Sequence, residues 1–306
     1  MGAPIEGSRV GELAGLLSAA LPHHPITERR LRSTFFQHAG FDTELICLAR
    51  GADGRVESAV GAVILPDKEG RSQSQLMFVA TRPAARRRGL ARTLYAELET
   101  ELRRRCVQDM IIAGGTIPSG LDLRYQAATT MFLRRLYAVT SVSYDQTLDP
   151  DSPLPTRQPP PEGFSVRRMT VEDTPLLASF CRREFPDWQG ASGLIDTGPN
   201  CGVFGAFEKG TGRVAAFAGY CEYVFGPTGT ARAHRRKGLG AAVFWPAIRE
   251  LGAGMPHVPE LIERANVPFY ARAFGCHIRG TIWHMRKDLT ADPAISKGKA
   301  AEHAVT

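Results

Sequence analysis

The sequence predicts an α/β protein of two tandem domains, each a mixed, largely antiparallel twisted sheet flanked by helices. Three observations carry that prediction. The order of helical and strand-like segments in the first half returns in the second. A stretch with six prolines, Asp149 to Gly163, separates the halves. One short basic, glycine-containing motif occurs once in each half, about 150 residues apart, between a strand-like and a helical segment.

The first half starts with helical spacing over Val10 to Leu21 and Thr27 to Phe36. Leu45 to Leu48 and Val56 to Leu65 read as a hairpin around Gly51-Ala52-Asp53-Gly54. Gln75 to Ala80 is a strand, Leu90 to Arg105 a helix, Asp109 to Ala113 a strand, Gln126 to Leu136 a helix and Val139 to Thr147 a strand. The second half repeats the pattern. Phe164 to Met169 is a strand, Glu172 to Phe185 a helix, and Val203 to Phe207 with Arg213 to Tyr220 a hairpin over Lys209-Gly210-Thr211-Gly212. Tyr223 to Phe225 leads into a Gly/Thr-rich segment. Gly238 to Leu251 is a helix, Val258 to Ile262 a strand, Val267 to Phe274 a helix and His277 to Met285 a strand. The prolines cannot donate ladder hydrogen bonds and favour extended backbone, so the break reads as a semi-rigid linker. The expected domains are 1–149 and 164–289, with a linker at 150–163 and a mobile tail at 290–306.

Composition narrows the function classes. With 43% hydrophobic and 23% charged residues in 306, the chain is globular, and each half is long enough to bury its own core. No apolar run approaches a membrane span, and Glu6 precedes the first apolar stretch, so neither membrane insertion nor a signal peptide is expected and the cytoplasm is the expected location. The six cysteines form no C-x-x-C pair, which predicts reduced, buried thiols. The eight histidines show no metal-ligand spacing, so no metal is expected. The net charge is +7, and 32 of the 38 basic residues are arginine. Arginine suits phosphate, which raises nucleic acid or a phosphate-rich cofactor as partner, with codon bias as the plain alternative. No helix-turn-helix, RNP-like motif or zinc finger accompanies the charge, so nucleic acid is not the expected partner.

The repeated motif decides where the phosphate would go. Arg86-Arg87-Arg88-Gly89-Leu90-Ala91 and Arg235-Arg236-Lys237-Gly238-Leu239-Gly240 both fit R-x-x-G-x-[GA] where a strand gives way to a helix. The first turn of a helix has backbone N–H groups without intrahelical partners, and the macrodipole adds positive potential there. Glycine lets an anion approach the backbone, and flanking Arg and Lys add counter-charge. A pyrophosphate is the natural guest. Neither a Walker loop nor a G-x-G-x-x-G fingerprint is present.

Together with Phe225-Gly-Pro-Thr-Gly-Thr230 before it, the second copy resembles the acetyl-CoA signature of the GNAT superfamily of N-acetyltransferases. The resemblance covers about 164–289, and more loosely about 9–148, and suggests a tandem member. It implies acetyl-CoA as cofactor, with its pyrophosphate on Arg235, Arg236, Lys237, Gly238, Leu239, Gly240 and Ala241, and its pantetheine along Thr228, Gly229 and Thr230. Asn266 at the start of the last helix joins this set, and Arg86, Arg87, Arg88, Gly89, Leu90 and Ala91 form the corresponding set in the first half. Asn266-Val-Pro-Phe-Tyr270 to Gly275 resembles the family's final helix, which implies Tyr270 as general acid, although it also fits a packed aromatic. Glu222 and Glu263, on strands near the loop, are the candidate bases.

Aligning 269–276 with 131–138 sets Phe132 against Tyr270 and Tyr137 against Gly275. The second domain is therefore the expected catalytic one and the first a degenerate copy. The implied reaction is attack by a primary amine on the thioester, with a small-molecule acceptor such as an amino sugar. A non-catalytic acyl-CoA-binding protein and an acetyltransferase of protein N-termini or lysines are the alternatives.

Overall fold

The computed structural model describes residues 7–24, 26–67, 69–113, 116–117, 119–148, 159–196, 201–221, 224–251, 257–263 and 266–291. The chain divides into a first unit, 1–143 with 281–306, and a second, 144–280. These bounds differ from the expected 1–149 and 164–289 because the final strand does not stay in one unit. That strand, β12 (His277–Asp288), ends in the first unit. The proline-rich segment at 149–158 and the tail from 292 lie outside the described residues.

The first unit begins with α1 (Gly7–Ala20) and α2 (Glu28–Leu31), the latter capped by the Thr27 side chain accepting from Arg30 N–H. A single π-turn, Arg32–Phe36, follows where the sequence predicts one continuous helix. Strands β1 (Ile46–Arg50), β2 (Val56–Pro66) and β3 (Ser72–Thr81) form an antiparallel meander. Helix α3 (Leu90–Arg104) leads to β4 (Asp109–Ile112), then β5 (Leu121–Asp122), α4 (Gln126–Arg134) and β6 (Ala138–Thr147). The strand order runs β1-β2-β3-β4-β12, and β5 also pairs with β12.

Side chains alternate across this sheet because the strand period is two. Ala59, Val63 and Phe78 pack under α1 and α2, while Val60, Ala62 and Leu76 pack under α3 with Leu94, Tyr95 and Leu98. Beyond Ile282, β12 supplies Met285 to the second of these layers, just ahead of Leu289. It pairs antiparallel with β4 from Met285↔Ile112 to Asp288↔Asp109. Arg286 clamps Asp109 at 2.5–2.7 Å, and Lys287 reaches Glu99 at 2.7 Å.

The arginines at the C-terminal end of α3, Arg103 and Arg104, and the following Arg105 have partners. Arg105 bonds Asp42 at 2.5 Å and Glu101 at 2.6 Å and also reaches Glu44, while Arg104 bonds Glu101 and Arg103 bonds Glu99. Much of the local basic excess is thus spent on intramolecular ion pairs.

The second unit contains β7 (Phe164–Arg168), α5 (Thr174–Glu184), β8 (Cys201–Glu208), β9 (Val214–Cys221), β10 (Val224–Thr230), α6 (Leu239–Leu251), β11 (His257–Glu263) and α7 (Val267–Phe274). Its four-stranded antiparallel sheet has the order β10-β9-β8-β7. Phe180 and Leu177 of α5 cover one face and Val243, Phe244 and Ile248 of α6 the other. Cys201 and Cys221 are directly opposed on β8 and β9 and form a disulfide. This corrects the expectation of reduced thiols for these two. Among the described residues no helix is long and apolar enough to cross a membrane.

Candidate active site

Both copies of the basic motif fold into the same backbone trace. In the first unit a short 3-10 turn, Pro83–Ala85, is followed by Arg86 (φ −64°, ψ 160°), Arg87 (φ 67°) and Gly89 (φ 83°), and α3 then begins. In the second, a 3-10 turn, Arg232–His234, is followed by Arg235 (φ −62°, ψ 153°), Arg236 (φ 61°) and Gly238 (φ 81°), and α6 begins. Left-handed residues between right-handed or extended ones turn successive N–H groups toward one point, the geometry of an anion nest. A Cβ at Gly89 would meet only Arg92 Nη2 at 3.6 Å, so its positive φ, not crowding, demands glycine. Arg86 Nε donates to Thr81 O and Arg235 Nε to Thr230 O, each at 3.3 Å, so the first arginine of each motif ties the loop to its preceding strand.

That strand carries a one-residue bulge in both units. On β3 the register passes from Gly61↔Phe78 to Ala62↔Leu76, which leaves Met77 as the extra residue and puts Met77 and Phe78 in the same core layer. Gly61 makes room for the displaced ring, since a Cβ there would lie 2.3 Å from Phe78 Cζ. On β10 the register shifts between Phe225 and Thr228.

The consequence for β3 is an open edge. Its parallel pairing with β4 covers only Gln73↔Asp109, Ser74↔Met110 and Gln75↔Ile111. Past the bulge the two strands separate, and Ile117 N–H takes the Met77 carbonyl at 2.7 Å. The space between them is a cavity of about 550 Å³. Leu76 to Thr81 form one wall, Arg86, Arg87 and Gly89 to Arg92 the cradle end, and Thr116, Ile117, Tyr125, Ala128 and Phe132 the far side. Four arginines (Arg86, Arg87, Arg92, Arg124) line it, and none of its described lining residues is Asp or Glu. The donor set fits a phosphate-bearing thioester cofactor: converging N–H groups and guanidinium groups at one end, and a strand edge able to pair with amide groups along the wall.

The second unit keeps the cradle, and aromatic rings lie against two of its glycines. A Cβ on Gly240, the counterpart of cavity-lining Ala91, would lie 3.0 Å from Phe269 Cζ. Gly229 lies under Phe185, 2.6 Å from a ring carbon by the same measure, and Phe185 is stacked on Trp188. Thr228 Oγ1 donates to Phe217 O at 2.9 Å. Leu239 is buried, and Ala241 lines a separate surface groove with Val166, Trp245 and Arg249. Asn266 is exposed, and its carbonyl accepts from Phe269 N–H at 3.0 Å. Arg236 and Lys237 are exposed beside Gly238.

Tyr270 is 6% exposed and sits in the core with Phe244 and Phe274, and burial pushes its hydroxyl well above the usual tyrosine range. Glu222 lies outside the described residues, and Glu263 ends β11. The structure also shifts the alignment of the two final helices. Their left-handed terminal residues are Leu136 (φ 64°) and Gly275 (φ 71°), which brings Tyr137 level with Cys276, while Phe132 O and Tyr270 O accept the corresponding closing bonds from Tyr137 N–H and Cys276 N–H. Tyr137 is buried and bonds Tyr95 at 2.9 Å.

One cluster escapes sequence reasoning. Tyr125, immediately before α4, shares its hydroxyl with His24 Nδ1 at 3.0 Å and accepts from His23 N–H at 3.2 Å. His24 Nε2 is 3.6 Å from Asp122 Oδ2, and Asp122 accepts from Arg124. The residues are about a hundred positions apart in sequence, so no local spacing announces them.

Comparison with known proteins places this geometry. The family model described as "Acetyltransferase (GNAT) family" matches residues 13–118, so the match falls in the first unit, on the half where the sequence resemblance is looser. No curated protein matches the sequence. A GCN5-related N-acetyltransferase from Sphaerobacter thermophilus superposes with a TM-score of 0.64 at 17% identity, covering 94% of each chain. A tandem GNAT protein from the clavulanic acid biosynthesis pathway gives 0.64 at 15% identity, over 94% of this chain and 97% of that one. A glucosamine N-acetyltransferase region within a fungal multi-domain GH3 beta-N-acetylglucosaminidase gives 0.66 at 15% identity; 93% of this chain is covered, but only 37% of that one. At these identities the likeness is one of fold.

Proposed function

We propose that the chain, which matches the acetyltransferase (GNAT) family model over residues 13–118, is an acetyl-CoA-dependent N-acetyltransferase of a primary amine and that its first unit holds the cofactor. The observation that carries this reading is the 550 Å³ cavity lying directly on the cradle from Arg86 to Ala91. The second unit has the same cradle trace but carries Phe269 at Gly240, so the reading gives it a structural role.

The cofactor would supply an acyl group on a good leaving thiolate. The chain's own contribution is binding and placement. The N–H groups from Arg87 to Ala91, with the Arg86 and Arg87 guanidinium groups, hold anionic oxygens at the mouth. The open edge of β3 past Met77 aligns an amide-bearing arm by main-chain pairing. Leu76, Ile112, Ile117 and Phe132 line the interior with apolar surface, which strengthens every hydrogen bond made there. The acceptor is a small amine, and glucosamine, named for one structural neighbour, heads the panel to be tested.

Calorimetric titration with acetyl-CoA followed by thiol-release assays on a panel of primary amines tests the proposal. Saturable binding and amine-dependent thiol release are expected. Tight binding with no turnover on any amine would point instead to a non-catalytic acyl-CoA-binding protein. Absence of binding would refute the cradle assignment.

A further inference from the structure

Resting on the reading of the first unit as an amine acetyltransferase, we propose that Tyr125, His24 and Asp122 form the proton relay that deprotonates the acceptor ammonium. Attack on a thioester needs a neutral amine, and most primary aliphatic amines are protonated at neutral pH. Strand carboxylates are the obvious bases in such a site, yet no described residue lining the cavity is acidic. Tyr125 is the wall residue that connects the cavity to a buried base.

The hydrogen-bond geometry allows transfer in one direction, from the cavity to the buried carboxylate. His24 is 5% exposed and Asp122 is fully buried. Nε2 of His24 lies 3.6 Å from Asp122 Oδ2, and the relay requires the ring proton on Nε2 with Nδ1 as the acceptor. The Tyr125 hydroxyl lies 3.0 Å from that Nδ1 and accepts from His23 N–H at 3.2 Å, so in the relay its own proton points to the ring. A phenol oxygen accepts while it donates. An ammonium N–H on the cavity side therefore passes its proton to Tyr125 Oη as the Tyr125 O–H proton passes to His24 Nδ1. One N–H and one O–H bond break, one O–H and one N–H bond form, and the positive charge moves from the amine to an imidazolium beside Asp122. Arg124, donating to Asp122 Oδ2 at 2.5 and 2.8 Å, holds that carboxylate in position. The arrangement resembles the hydroxyl–imidazole–carboxylate order of hydrolase triads, but here the hydroxyl conducts a proton and forms no covalent bond.

Two measurements on the full chain test the relay. In protein labelled with 15N-histidine, with the His24 signal assigned through His24→Gln, the Nε2–H tautomer is expected, and Tyr125→Phe should shift the Nδ1 resonance. In thiol-release assays Tyr125→Phe and His24→Gln should lower turnover of protonated aliphatic amines by about 10²–10⁴-fold, the usual contribution of a positioned base. The same variants should lose far less on an acceptor already neutral at the assay pH, such as methoxyamine. A merely structural role would depress both acceptors alike. The Nδ1–H tautomer, or equal losses on both acceptors, would overturn the relay while leaving the acetyltransferase reading intact. Failure of the wild type to bind acetyl-CoA would strike that reading itself, whatever the tautomer.

Discussion

Replacing Gly89 with alanine, and separately Gly238 with alanine, asks which cradle holds the cofactor. The two glycines share a backbone conformation, φ 83° and φ 81°, so the substitutions carry the same intrinsic strain. An L-residue in the left-handed region costs about 1–2 kcal/mol. The free variant loop relaxes to a more ordinary conformation and loses the convergence of its N–H groups. Binding must pull it back, so the cost reappears in the binding free energy. At 1.4 kcal/mol per tenfold, about 1–2 kcal/mol is roughly a 5- to 30-fold loss of affinity. Acetyl-CoA titrated by calorimetry into Gly89→Ala should show that weakening, whereas Gly238→Ala should bind as the wild type does. Both variants should melt at similar temperatures. An affinity loss confined to Gly238→Ala would refute the assignment to the first unit, and equal losses would mean that both cradles bind.

Three further outcomes follow from named contacts. A chain ending at Gly280 removes the part of β12 that pairs with β4 and supplies Met285 to the first unit's core, so it should lose the cooperative unfolding transition seen by circular dichroism for the full chain. Tyr270→Phe removes a buried hydroxyl from the second unit's aromatic core and should change stability by no more than about 1 kcal/mol with acetyl-CoA affinity retained; a large loss of turnover in this variant would place the chemistry in the second unit. Asp173 is bonded by Arg167 at 2.6 and 2.7 Å, which holds its carboxyl below the ordinary 3.8. Its contribution is present above that value and is lost as pH falls through the lower, folded one. The melting-temperature gap between wild type and Asp173→Asn should therefore be widest near neutrality and close in acid; a gap independent of pH would show that the ion pair contributes nothing.

The parts legible in the sequence are those whose cause is local. Gly89 and Gly238 announce themselves because a left-handed backbone at a helix start needs glycine, and the arginines beside them belong to the same few residues. Helix and strand existence followed from side-chain periodicity for the same reason. What escaped depends on partners far along the chain. The Met77 bulge is settled by pairing with β2, and Gly61, its clearest trace, reads in isolation as an ordinary strand glycine. Cys201 and Cys221 were assigned as thiols from their spacing, yet β8 and β9 set them directly opposite each other. The exchange of β12 into the first unit leaves no local mark, because a strand carries the same alternation whichever sheet receives it. Aligning 131–138 with 269–276 sets Tyr137 against Gly275, whereas Leu136 takes the left-handed conformation here, which nothing in its side chain announces.

The comparison of the two units separates the fold's contribution from the site's. The cradle trace is a property of the strand-turn-helix junction, and both copies have it with matching dihedral angles and matching arginine-to-carbonyl bonds. A binding site needs more than the junction: the strand before it must also part from its parallel neighbour, and the opening must stay clear of side chains. On β3 the bulge ends the pairing with β4 after three residues, and small side chains (Ala91, Ala127, Ala128) line the mouth. In the second unit the equivalent approach carries Phe269 and Phe185, and the last helix contributes Tyr270 and Phe274 to the core. The motif alone therefore weighs both halves equally. The rings that set the second unit apart, Phe185 just past the end of α5 and Phe269 on α7, both lie well outside the motif in sequence.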